Sequence, residues 1–230
     1  MRKLDGSNGF KAAVLTLAIA GCGSDGEPGG EFDRGGKVGS GTGTNIIAPG
    51  RGVLPAYPAP PYGTIPSSVV ENFAFLGWKA PKAANYDRTV FEPVSLSDFY
   101  DPDGSKGIKM IILNGSAVWC GVCNYEADQI NRENKYAEYK ARGVEFVWSL
   151  FEDAEGGPAT PQDLANWAST YEVDFPMVLD PGLKLGAFFS SDATPLNLLI
   201  DARSMRILDK LLGYDPTGHW ETIDYYLERQ

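Results

Sequence analysis

Two stretches of the chain are apolar with almost no alternation. Ile108-Lys109-Met110-Ile111-Ile112-Leu113-Asn114 and Val144-Glu145-Phe146-Val147-Trp148-Ser149-Leu150 read as strands covered on both faces. Between them the spacing becomes helical. Ala127, Ile130 and Ala137 recur on one face, which predicts a long helix over 120–142, stopped by Gly143. Upstream, Thr89–Val94 reads as a short strand, Ser95–Tyr100 as a turn of helix and Asp101-Pro102-Asp103-Gly104 as a turn. Downstream, Thr160-Pro161-Gln162-Asp163 opens a helix with an N-cap, a first-position proline and an acid in the first turn, running to about Tyr171. Pro176–Leu179 is predicted as a strand and Gly182–Phe189 as a short helix. Leu196–Ile200 and Met205–Leu212 are two more strands, and Thr217–Glu228 is a closing helix with Trp220, Ile223 and Leu227 on one face. The alternation of strand and helix predicts an α/β domain, a central sheet with helices on both faces.

The first third of the chain does not share this pattern. Lys3 and Lys11 precede an apolar run, Ala12–Ala20, too short to cross a bilayer, so residues 1–21 read as an export signal. Ile19-Ala20-Gly21-Cys22 resembles the lipobox of bacterial lipoproteins, which makes Cys22 the acylated first residue of the mature chain and the membrane its partner. The plainer alternative is a secretory signal followed by an unrelated cysteine. Gly23 after the cysteine favours the outer membrane by the enterobacterial sorting pattern. Residues 22–70 are Gly-rich and then Pro-rich and read as a flexible linker with a reach of roughly 40 Å. The folded domain is expected over 71–230.

Charge narrows the choice of partners. The net charge is −10. Loss of residues 1–21, with three cations against one anion, takes it to about −12. A general basic patch for nucleic acid is excluded. Export also places the thiols in an oxidising compartment, where reduced cysteines need a supplier of electrons.

The chemistry lies in Trp119-Cys120-Gly121-Val122-Cys123, at a junction of strand and helix. Unpaired N–H groups and the macrodipole at a helix start favour an anionic sulfur. A thiol of pKa about 8.5 falls to about 3.5–7.5 in such places. Cys120 is therefore the expected nucleophile. Cys123, one turn on, is the resolving thiol, close enough to close a Cys120–Cys123 disulfide. The disulfide itself is the redox group, and no separate cofactor or metal is expected. The Asp101–Gly104 turn lacks the acidic residue that would complete a calcium loop.

On these residues the sequence resembles the thioredoxin superfamily, specifically the membrane-anchored TlpA-type thiol–disulfide oxidoreductases (redoxins), over about residues 70–230. The WCxxC motif, Leu113-Asn114 upstream of it, Glu126 after it and Thr194-Pro195 before an apolar strand carry the resemblance. It implies a thioredoxin-like fold with an N-terminal extension and an inserted β-α unit at Pro176–Phe189. It also implies a cis bond before Pro195, with the Thr194 backbone meeting an extended substrate. Glu126 is implied as the proton acceptor for Cys123, against the alternative of an ordinary solvated carboxylate. Trp119, Gly121, Val122 and Thr194 are expected at the substrate, with Gly121-Val122 replacing the Gly-Pro of thioredoxin.

Three other functions compete. Cys120 and Cys123 could hold Cu(I) or zinc with His219, the only histidine, although zinc wants four ligands and a lone histidine there reads as surface or cap. A thiol peroxidase would need a Thr-x-x-Cys pattern and an activating arginine, and Ser116–Cys120 offers neither. A redox-inert interaction module is disfavoured by the presence of both cysteines. The expectation is a periplasm-facing, lipid-anchored reductase of exported protein disulfides, such as those of apocytochromes c, recharged by a membrane electron donor.

Overall fold

The computed structural model describes residues 56–189 and 193–230. The expected export signal, Cys22 and the expected linker as far as residue 55 lie outside the described residues. Seven strands form one mixed sheet. They are β1 (Ala74–Trp78), β2 (Glu92–Ser95), β3 (Met110–Ala117), β4 (Val144–Glu152), β5 (Met177–Leu179), β6 (Leu196–Asp201) and β7 (Ile207–Leu212). Their order is β2-β1-β5-β4-β3-β6-β7. β3, β4 and β5 are parallel, while β6 and β7 on one side and β1 and β2 on the other run antiparallel to their neighbours. The α-helices are α1 (Gly121–Arg132), α2 (Lys135–Lys140), α3 (Pro161–Thr170) and α4 (Gly218–Leu227).

The central strands behave as their composition requires. Every residue of β3 is buried, and all of β4 except its last residue. Alternate side chains of β3 enter opposite cores. Met110 and Ile112 pack with Phe146, Trp148, Ala127, Ile130, Leu164 and Ile223, whereas Ile111 and Leu113 pack with Val147, Val178, Leu198, Phe75 and Leu96. All four α-helices contribute to the first cluster. The second face is completed by 3-10 turns at Leu96–Asp98 and Lys184–Phe188 and by the segment leading into β1. No described helix is long and apolar enough to cross a membrane.

Several boundaries differ from those predicted. β3 continues through Gly115-Ser116-Ala117, small residues that read as a loop, because they keep their ladder partners on β4. The helix expected over 120–142 is two helices. Asn134 adopts φ +53° between α1 and α2, a left-handed conformation that asparagine tolerates at little cost. The strand expected at Thr89 begins at Glu92, after a 3-10 turn over Arg88–Val90. Chain order also starts earlier than residue 71. Ser67 N donates to Ile207 O, Ile207 N to Ser68 O and Val70 N to Met205 O, at 2.7–2.9 Å.

One glycine is dictated by the sheet. Gly77 of β1 lies against β5, and a Cβ built there would sit 2.6 Å from Val178 Cα and still closer to the Met177 carbonyl oxygen. Backbone atoms in a central ladder have little room to retreat. Gly77→Ala is therefore expected to cost roughly 1–3 kcal/mol or more, the overpacking range. Thermal unfolding checks this: an unchanged midpoint would show that β1 and β5 are not in that close register.

Candidate active site

β3 delivers the chain to the start of α1, and Cys120 is the residue that caps it. Its backbone is extended (φ −78°, ψ 106°), and its Sγ accepts a hydrogen bond from Cys123 N at 3.1 Å. An N-cap side chain normally offers oxygen to the orphan N–H groups of the first turn. Here sulfur takes that place, where the helix N-terminus favours negative charge. Cys120 and Cys123 are joined as a disulfide, with Cα atoms 5.2 Å apart. Cys120 keeps a thin accessible edge, 4% of its surface, and Cys123 has none. An incoming sulfur therefore meets Cys120 first.

The loop before β6 closes over the same sulfur. Thr194 Oγ1 lies 3.0 Å from Cys120 Sγ, and the Thr194–Pro195 bond is cis. Pro195 is buried, and its carbonyl accepts from Gly213 N at 2.8 Å. Around the disulfide, Trp119, Val122 and Tyr125 are each between 45% and 48% exposed, an unusual grouping of large side chains left to solvent. Trp119 is anchored by its Nε1 donating to Glu152 Oε2 at 2.7 Å, and Tyr125 lies edge-on to Tyr214. Gly121 is exposed, with nothing within 4 Å of where a Cβ would stand.

Beneath this rim is a carboxyl group fully out of water. Glu126 lies on the buried stripe of α1 with Cys123, Ala127 and Ile130, so it is not the solvated helix residue of the alternative reading. Asn114 Nδ2 donates to Glu126 Oε2 at 3.0 Å and Asn197 Nδ2 donates to Oε1 at 2.8 Å. Asn114 Nδ2 also reaches Asn197 Oδ1 at 2.9 Å, and Ser116 Oγ donates to Asn114 Oδ1 at 2.6 Å. Burial pushes the Glu126 pKa up to about 8, against the opposing pull of the Asn197 and Asn114 hydrogen bonds. That is close to the value of an ordinary thiol, about 8.5.

Sequence reasoning missed Asn197 and Ser116. The signal was present: Asn197 is the one polar residue in Leu196–Ile200, and it pairs in register with Asn114. His219 needs a correction. It is neither surface nor cap but 3% exposed, packed against Tyr214 and Trp220 with no hydrogen-bond partner for either ring nitrogen. Burial lowers its pKa to about 4. No group of three or more His, Cys, Asp and Glu side chains able to hold a metal ion occurs among the described residues.

With the geometry in place, three comparisons bear on it. The AhpC/TSA family profile matches residues 76–208. A thiol-disulfide oxidoreductase ResA of Bacillus cereus is 27% identical over 121 residues, 53% of this chain and 63% of that protein. The chain thus spans less than two thirds of that relative's length. Among solved structures, one described as a thiol:disulfide interchange protein DsbE from Chlorobium tepidum superposes with a TM-score of 0.54 at 21% identity, covering 72% of this chain and 99% of that one. One described as a protein disulfide isomerase from Bacteroides thetaiotaomicron gives 0.53 at 21% identity, covering 73% and 91%. At these identities the structures establish the fold, which is thioredoxin-like.

The raised Glu126 pKa has a consequence for stability. The folded chain retains a proton that the unfolded chain releases near 4.5, so stability is fully present below that pH and is lost as pH rises towards about 8. Glu126→Gln, neutral throughout, is expected to flatten that part of the profile. Denaturant unfolding of both proteins at several pH values checks it: parallel profiles would mean that Glu126 is ionised in the fold across the whole range.

Proposed function

Since the chain belongs to the AhpC/TSA family and carries TlpA-type features of the thioredoxin superfamily, we propose that it is a thiol–disulfide oxidoreductase. The observation that carries this reading is the Cys120–Cys123 disulfide at the start of α1, with the Thr194 hydroxyl on the outer sulfur. In the reduced protein the Cys120 thiolate attacks a substrate disulfide, forming a mixed disulfide and expelling the first substrate thiolate. Cys123 then gives its proton to Glu126 and attacks Cys120 Sγ. The Cys120–substrate bond breaks, the electron pair leaves on the second substrate sulfur, and the protein disulfide closes. A buried thiol needs such an acceptor, and a carboxylate of similar pKa takes the proton at little cost.

Trp119, Val122, Gly121 and Thr194 form the rim on which substrate would rest, and Pro195 shapes the loop that carries Thr194. The finer reading places the protein outside the cytoplasm, anchored by acylated Cys22, and recharged by a membrane electron donor. Its substrates there are exported protein disulfides, including those of apocytochromes c before haem attachment. The apolar run before Gly21-Cys22 supports export and anchoring, and the thiol–disulfide oxidoreductase name of the similar ResA protein supports disulfides as the substrates. A peroxidase reading has less support: the hydrogen bonds to Cys120 Sγ come from Cys123 N and Thr194 Oγ1, with no arginine among the described residues donating to it.

Two measurements test the proposal. Cys123→Ser is expected to accumulate mixed disulfides on Cys120 in cells, identifiable by mass spectrometry, and an accessible Cys120 that never forms adducts would remove dithiol exchange. Cys22→Ser is expected to move the protein from the membrane fraction to the soluble one, whereas unchanged partitioning would remove the anchor.

A further inference from the structure

The ladder between β3 and β6 sets Asn114 opposite Asn197. Both are completely buried, in strands that are otherwise apolar at this level. Two amides in a sheet core are costly unless every polar atom is matched. They are matched here by converging on one carboxyl group of α1. Asn197 supplies a donor to Glu126 Oε1 and an acceptor to Asn114 Nδ2. The same stretch of chain reaches the reactive sulfur, because Thr194, three residues earlier, lies on Cys120 Sγ.

A carboxyl group that accepts and returns a proton makes opposite demands in its two states. Ionised, it needs donors on both oxygens, which is the arrangement described above. Protonated, one oxygen becomes a donor and needs an acceptor. The donors on both oxygens therefore support, against burial, the ionised form, the one able to take a proton from Cys123.

We propose that Asn197 is a positioning residue of the exchange reaction, holding the Glu126 carboxyl in place and donating to it while it is ionised and ready to take the proton from Cys123. This rests on the oxidoreductase reading above. The proton itself goes to Glu126, since neither cysteine can hold it while the new S–S bond forms, and Asn197 keeps that acceptor in place.

The test uses the reduced full-length protein mixed with one equivalent of 5,5′-dithiobis(2-nitrobenzoate) in a stopped-flow spectrometer. Capture by Cys120 releases one coloured thiolate, and resolution by Cys123 releases the second. The second phase is expected to rise with pH through an inflection near 8 and to be absent in Cys123→Ser. Asn197→Leu removes a donor to the ionised carboxyl, and the isosteric Asn197→Asp replaces that donor with an acceptor. Each is expected to move the inflection upward by about one pH unit, slowing the second phase at pH 7 about tenfold, while capture keeps its wild-type rate. If Asn197→Leu does not fold, the isosteric variant decides. An inflection unmoved in the folded variants, with only the melting temperature lowered, would overturn the positioning role and leave the oxidoreductase reading standing. A wild-type second phase independent of Cys123 would overturn that reading and the present inference together.

Discussion

A carboxyl group sealed inside an apolar domain can be kept only if both of its oxygens are met by fixed donors, and this requirement organises the structure. The donors to Glu126 come from two different strands, so β3 and β6 must pair with Asn114 opposite Asn197. A slip of one residue in either strand would turn its amide to the other face of the sheet, away from the carboxyl. The helix is bound by the same condition. α1 must present Cys123, Glu126 and Ile130 on its inner side, which sets its first turn and places Cys120 at the cap. The position of the disulfide and the depth of the acid are therefore two results of one packing arrangement.

Much of this was legible in the chain. The continuous apolar runs became β3 and β4, and the Thr160–Asp163 signature became a reciprocal cap, with Asp163 Oδ2 accepting from Thr160 N at 2.8 Å. Trp119–Cys123 and Thr194-Pro195 pointed to the site because their chemistry is local: a sulfur at a helix start and a loop that ends in proline. What escaped was set by pairing rather than by local preference. Gly115-Ser116-Ala117 has the composition of a turn, yet its partners on β4 hold it extended. β1 is only five residues long and gave a weak signal of its own; its neighbours β2 and β5 make it a strand. Asn134 breaks a helix whose apolar period continues through it, since one left-handed residue does not disturb the spacing.

Asn197 and His219 were misjudged for related reasons. A single polar residue in an apolar segment carries no statement of its partner, and for Asn197 the partner lies 71 positions away on α1. His219 precedes a tryptophan at the start of a terminal helix, where exposure is usual, but Tyr214 and Trp220 enclose its ring. Its two unmatched nitrogens stay neutral at ordinary pH because burial opposes their charging.

The N-terminal hairpin adds a constraint of timing. β1 joins the sheet only through β5, and Leu76 pairs with Leu179 across more than a hundred intervening residues. While a chain is emerging from a ribosome or a translocation channel, β1 and β2 are among the first segments out but have no sheet to dock on until β5 follows. The strands nearest the start of the domain thus wait for one that lies more than eighty residues further along the chain. Until then the apolar side of that hairpin is open to whatever holds unfolded chains in the compartment where folding finishes.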